Sequence, residues 1–265
     1  AVGHYEQALA LDPGFAEVHN KLANLHAARG ESDQAKAAWK RAMEAAPGDY
    51  HAWMNMGAVL SMEGDLAGSA ELLAGAVQRA PGHARAHFNY GYVLFKLGRH
   101  DDALAHFAAA LAINPRDRTV RGTQALVVAV QSGDVPGTAV EPYELAVSAM
   151  MSDPALAAQK YKEVLLLAPD FAFAHMNLGV ALAAQGEVKA AEASMKKATA
   201  LAPEDADTWR NLGMFYLMTQ RFPDAVPALQ TAQGLDPADP QLLSALATAQ
   251  LGARKPRAAA ASFRK

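Results

Sequence analysis

The sequence contains no cysteine among its 265 residues. That absence excludes disulfides, thiolate zinc sites, iron–sulfur clusters and a cysteine nucleophile. Charge of one sign is also missing: 24 Lys+Arg against 27 Asp+Glu leaves a net −3 with His neutral. A strongly basic surface is therefore ruled out, and no nucleic acid is expected as a partner. Long apolar runs are absent. The longest stretch without a charge, Phe171 to Gly186, contains His175, Asn177 and Gln185. It is too short and too polar to cross a bilayer, so no membrane insertion is expected. There is no initiator Met, no basic segment followed by an apolar one, and no cleavage-site signature. Phosphate-binding glycine loops, HExxH, GxSxG and EF-hand loops are missing as well. No residue is assigned catalytic chemistry, metal binding or a cofactor, and the chain is read as not an enzyme.

What is present is periodicity. Prolines that follow alanine-rich runs stand at Pro13, Pro47, Pro81, Pro115, Pro169, Pro203 and Pro237, with spacings of 34, 34, 34, 54, 34 and 34. Eight residues before each lies a large residue: Tyr5, Trp39, Leu73, Phe107, Tyr161, Met195 and Leu229. Five before each lies a small or branched one: Ala8, Ala42, Ala76, Ala110, Val164, Ala198 and Ala232. Seventeen before, the column reads Gly30, Gly64, Gly98 and Gly186, with Ser152 and Gln220 as departures. Glycine there ends a helix, because it adopts a left-handed backbone at low cost. Each unit thus reads as helix, glycine turn, second helix, proline turn. One such unit cannot bury its apolar face alone, so neighbours must stack.

Trp53, Met56, Gly57, Leu60, Gly64, Leu73, Ala76 and Pro81 together resemble one tetratricopeptide repeat (TPR). Trp209, Leu212, Gly213, Tyr216, Ala225, Ala232 and Pro237 resemble another. A third runs from His87 through Tyr90, Gly91, Leu94, Gly98, Ala103, Phe107 and Ala110 to Pro115, with His87 in place of the family's Trp. The resemblance covers nearly the whole chain. It implies an all-α, right-handed helical-hairpin solenoid.

The register places regular units at 16–49, 50–83 and 84–117, then at 138–171, 172–205 and 206–239. Residues 1–15 form the second helix of a unit without its first, and 240–265 form most of a last unit that ends inside its second helix. Both ends cut through a repeat, so the expected parent is a longer protein. The 54-residue step holds 20 extra residues, with a helix expected over about 118–131 and a loop at 132–140 containing Gly133, Pro136 and Gly137. A helix from Glu141 to Met151 follows, and Ser152-Asp153-Pro154 caps the next. The expected domains are a sub-array at 1–117, an irregular helix and loop at 118–137, and a second sub-array at 138–265. The segment 118–153 reads as an eroded repeat, or as a hinge or partner-docking insertion, and the amides of the 132–140 loop are expected to be open to solvent.

His19, His87 and His175 share the column of Trp53 and Trp209, which predicts rings packed between helices. His83 and His87 are four apart, but no third metal ligand accompanies them.

In the resembled family the first helix of each unit lines a concave face. One column of that helix holds Asn55, Asn89, Asn177 and Asn211, with Lys21 in the first unit. Repeated amides offer donors and acceptors to an extended peptide backbone. The column is similar to the asparagine ladder of the superhelical TPR domain of O-linked N-acetylglucosamine transferases; an alternative is that these residues only brace the framework. Flanking columns add Asn20, Asn24, Met54, Phe88, Tyr92, Met176, Arg210 and Met214, giving a groove with adaptable methionine and aromatic surface. Asn20 and Asn89 stand where a dicarboxylate clamp would need cations, which argues against chaperone tails. The expected function is a protein- or peptide-binding scaffold. The alternatives are the substrate-recognition arm of a larger enzyme, such as a bacterial glycosyltransferase, and a structural module that self-associates through open repeat ends.

Overall fold

The computed structural model describes residues 2–254 and Ser262. Among them are fifteen α-helices, one short 3-10 turn and no strand. The helices are α1 (Val2–Leu11), α2 (Ala16–Ala28), α3 (Ser32–Ala45), α4 (Tyr50–Glu63), α5 (Leu66–Arg79), α6 (Ala84–Lys96), α7 (His100–Ile113) and α8 (Arg118–Ser132). After the turn at Gly137–Ala139 come α9 (Val140–Ala149), α10 (Pro154–Leu167), α11 (Ala172–Ala184), α12 (Val188–Leu201), α13 (Ala206–Met218), α14 (Phe222–Leu235) and α15 (Pro240–Gly252). The second helix expected at the end of 240–265 lies outside the described residues.

The chain divides into two compact units, Ala1–Val128 and Ala129–Lys265, with the division inside α8. In the first, α2–α3, α4–α5 and α6–α7 form hairpins, and each hairpin stacks on the next through α3–α4 and α5–α6. In the second, α9–α10, α11–α12 and α13–α14 do the same, and α15 packs on α14.

The sequence columns explain where the helices end. The residue before each repeat proline is forced into extended backbone, because the proline ring disfavours a helical neighbour. Ala46, Ala80, Asn114, Ala168, Ala202 and Asp236 all show it, with φ between −126° and −138°. The earlier turn is left-handed, as at Gly64, with φ of 88°. Gln220 adopts the same conformation without being glycine, at φ 57°, and so does Arg254, 34 residues later, at φ 59°. Between the helices of a pair, a small residue meets a large one. A Cβ added at Gly179 would lie 2.5 Å from Met195, so only glycine lets α11 and α12 approach this closely.

The proline turns are tied by a donor six residues on. His19 Nε2 donates to the carbonyl of Pro13 at 2.8 Å, His87 Nε2 to Pro81 at 2.9 Å and His175 Nε2 to Pro169 at 2.8 Å. Trp209 Nε1 does the same to Pro203 at 2.8 Å, and Arg121 Nε to Pro115 at 3.0 Å. The histidines therefore replace tryptophan in more than shape: both rings carry an N–H at the same reach. At Pro47 the donor is Arg79, whose Nε lies 2.6 Å from the carbonyl and whose guanidinium covers the Trp53 ring at 3.8 Å. Trp53 Nε1 is then buried without a partner.

In the irregular segment α8, α9 and α10 stand where a regular array has two helices, as the spacing predicts. The loop differs from the open one expected. Val135 and Ala139 are fully buried, and the Val135 amide donates to the carbonyl of Ala129 at 2.9 Å. An apolar side chain anchors a stretch whose glycines and prolines suggested none. Asp153 caps α10 through the Leu156 amide at 3.0 Å.

Candidate functional site

Three predicted groove residues converge in the first unit. Trp39, 1% exposed, sends its Nε1–H toward Asn20 Oδ1 at 3.0 Å and Asn24 Oδ1 at 3.2 Å. An indole N–H only donates, so the atoms it meets must be oxygens, and the orientation of both amides is fixed. Asn55, on the next first-row helix, donates from Nδ2 to the same two oxygens at 3.3 and 3.1 Å. Each carbonyl oxygen thus carries two donors and its lone pairs are used. The amino groups of Asn20 and Asn24 and the Asn55 oxygen hold no partner among the described residues. Asn24 is exposed, and Asn20 and Asn55 are half-buried. The cluster is a donor-rich strip on the first-row face.

On α6, Phe88, Asn89 and Tyr92 are half-buried. Phe88 meets Tyr92 with ring centroids 6.4 Å apart and Phe107 at 5.9 Å. Phe88 also lines a cleft of about 460 Å³ with His83, Arg85, Asn114, Asp117 and Val120. His83 caps α6 through the Ala86 amide at 3.2 Å, and Asp117 caps α8 through the Thr119 amide at 3.0 Å. A second cleft of about 500 Å³ lies by Leu9, Pro13, His19, Arg41 and Glu44. His19 Nδ1 is buried without a partner.

Three residues predicted for the groove lie inside instead. Met54 is 7% exposed and packs with Leu73, Ala76, Ala86 and Val93, because that side of α4 faces the next hairpin. Met176 is also buried. Arg210 is held between Asp207 and Asp239, both buried; Asp239 Oδ2 is 3.2 Å from Nη1, and its Oδ1 caps α15 through the Gln241 amide at 2.9 Å. A buried guanidinium needs such partners. Asp207 at i−3 was a legible signal; Asp239, 29 residues on, was not.

The asparagine column behaves differently in the second unit. Burial pushes the phenols of Tyr143 and Tyr161, two rings 5.8 Å apart, well above the usual tyrosine range, and Asn177 beside them acts in the opposite sense. Asn211 donates to the carbonyl of Asp207 at 2.9 Å. Met214 stays exposed on α13, with Met218 one turn on. Sequence reasoning missed the network around Glu192, which accepts from Tyr216 at 3.0 Å and pairs with Lys196 at 2.8 Å and with Arg221. The Arg221 hydrogen bond leads in holding its carboxyl down, to about 2. Among the described residues no three His, Asp or Glu side chains converge to hold a metal, and no helix is long and apolar enough to cross a membrane.

No curated protein sequence matches the chain. Among solved structures, the TPR protein YrrB, described as having an unusual peptide-binding site, is 20% identical, covering 78% of this chain and 97% of its own, with a TM-score of 0.37. A thermophilic TPR protein from Thermus thermophilus is 22% identical, covering 76% of this chain and 99% of its own, with a TM-score of 0.39. A TPR protein from Parabacteroides merdae is 15% identical, covering 94% and 91%, with a TM-score of 0.43. The family model described as tetratricopeptide repeat matches residues 1–58, 60–127 and 183–251, and a second model of the same description matches 151–206. With matches over well more than half its length, the chain belongs to the tetratricopeptide repeat family.

Proposed function

We propose that the chain is a protein-interaction scaffold whose first unit binds an extended peptide along the first-row helices. The observation that carries this reading is the cluster of Asn20, Asn24 and Asn55 around Trp39. Its two acceptors are saturated from inside, which leaves amide N–H groups for the carbonyls of a peptide backbone. Asn89, Phe88 and Tyr92 continue the surface on α6, where the cleft beside Phe88 suits an apolar side chain. The second unit offers less backbone recognition, since Asn177 and Asn211 are engaged internally. Met214 and Met218 supply an adaptable apolar face there.

The test uses linear peptides selected from a random library on the intact chain. Asn20→Asp and Asn24→Asp keep an oxygen for Trp39 and Asn55 but remove the amino donors. Two lost hydrogen bonds correspond to about 1–3 kcal/mol, an affinity loss of about five- to 150-fold. Undiminished affinity of the double variant, with helicity unchanged by circular dichroism, overturns the reading.

A further inference from the structure

His87 on α6 and His106 on α7 face each other with their Nδ1 atoms 3.0 Å apart. Their protonation is dictated by a third atom. The Pro81 carbonyl can only accept, so His87 Nε2 carries the hydrogen. In the neutral ring His87 Nδ1 is then a bare lone pair, and His106 Nδ1 must carry the hydrogen between them. One further proton can settle on His106 Nε2 without disturbing this bridge. A second has nowhere to go except His87 Nδ1, where it meets another N–H and a like charge.

We propose that the His87–His106 pair is an acid-opened latch between α6 and α7, closed with no extra proton or one and opened by the second. The surroundings favour opening. His87 is 8% exposed, so the contact between the two rings lies at a buried seam. Burial and the neighbouring His87 hold His106 below the ordinary histidine range; Asp102 acts in the opposite sense, and Arg99 opposes Asp102. Arg99 and Asp102 pair with each other at 2.6 Å, which offsets much of both. His83, which caps α6, is itself held low by burial, with His51, Arg85 and His87 acting in the same sense; His51 is in turn bonded to Asp49 at 2.6 Å. Tyr90 brings a phenol ring to within 4.6 Å of the His106 ring.

Opening has a reach beyond the pair. Phe107, next to His106, is the ring that supports Phe88 at 5.9 Å. Parting α6 from α7 therefore loosens the support of the Phe88 cleft. That consequence for a ligand rests on the peptide-binding reading, whereas the latch does not.

The chain itself suggests the controls. Trp209 occupies the His87 column and keeps the carbonyl bond, so His87→Trp preserves the turn and removes the second titrating ring. Ala38 occupies the His106 column beside His19, so His106→Ala is tolerated there. Hydrogen exchange, corrected for intrinsic rates, is measured at about pH 7.5 and about pH 5 without any ligand. Wild-type amides of α6 and α7 are expected to lose at least about tenfold in protection relative to those of α2–α3, and each variant is expected to lose little. Wild-type protection that does not change, or variants that lose as much as wild type, overturns the latch. Should His87→Trp fail to fold, His106→Ala and the two-step titration of the wild-type ring protons by NMR decide it; a single step shared by both rings also overturns it. Peptide affinity is measured separately, so its loss cannot be mistaken for failure of the latch.

Discussion

A ring nitrogen and a proline carbonyl six residues apart recur from His19 to Trp209, and the pattern separates shape from hydrogen bonding. His175→Phe keeps an aromatic ring but leaves the Pro169 carbonyl without its donor. Replacing it should cost about 0.5–1.5 kcal/mol, seen as a lowered midpoint in urea unfolding. His175→Trp should recover most of that loss. Equal midpoints for the Phe and Trp variants would show that packing alone matters at this column. Protonation does not threaten these bonds, because Nε2 bears its hydrogen in both charge states. The histidine pair on α6 and α7 is different because there the other nitrogen is engaged as well.

At the scale of the helix and its turn, Gln220 is the clearest departure from what its position favours. It sits at φ 57° where Gly30, Gly64, Gly98 and Gly186 occupy the same column. Left-handed backbone strains a residue with a Cβ, while glycine loses more freedom on folding. The balance favours Gln220→Gly by about 0.5–1 kcal/mol, read as a higher thermal midpoint. A lowered midpoint would mean that the glutamine side chain contributes something the turn geometry does not reveal. Helix pairs and turns were legible in the sequence because glycine, proline and alanine act within one turn of where they stand. The same columns named Asn20, Asn24 and Asn55, which the structure gathers around Trp39. They could not say which amides would be claimed from within. Asn177 answers to Tyr143, in the irregular segment, and Arg210 to an aspartate in a later turn. Column reading also leaves open which side of a first-row helix meets the next hairpin, and that side took Met54. Nor could the composition of 132–140 show that Val135 would be buried.

For the molecule as a whole, the two units should respond to acid in order. Burial holds His83 and His106 of the first unit below the usual histidine value of 6.5. Folding thus disfavours their charged forms, and the stability this confers is complete above that value and declines as pH falls below it. In the second unit Glu192 is held at about 2, below its ordinary 4.5. The stability from its pairing is complete above 4.5 and is lost only as pH falls from there toward 2. Segment-resolved hydrogen exchange should therefore show the α6–α7 hairpin of the first unit loosening as pH falls below about 6.5 while the second unit remains protected until below about pH 4. Glu192→Gln should flatten the later loss. The reverse order would contradict both assignments.

The ties at the proline turns also bear on how such a chain can be lengthened or shortened. Where the donor stands six residues past the proline, the joint is written in one short window. A duplicated segment that includes this window brings its own fastening with it. The joint at Pro47 is different, because Arg79 serves it from 32 residues away. Deleting residues 50–83 would therefore take the guanidinium away from that carbonyl. Trp53, whose N–H is now unused, is placed to take the bond that Trp209 makes at Pro203. The array thus holds, at one joint, a second donor able to close the same turn.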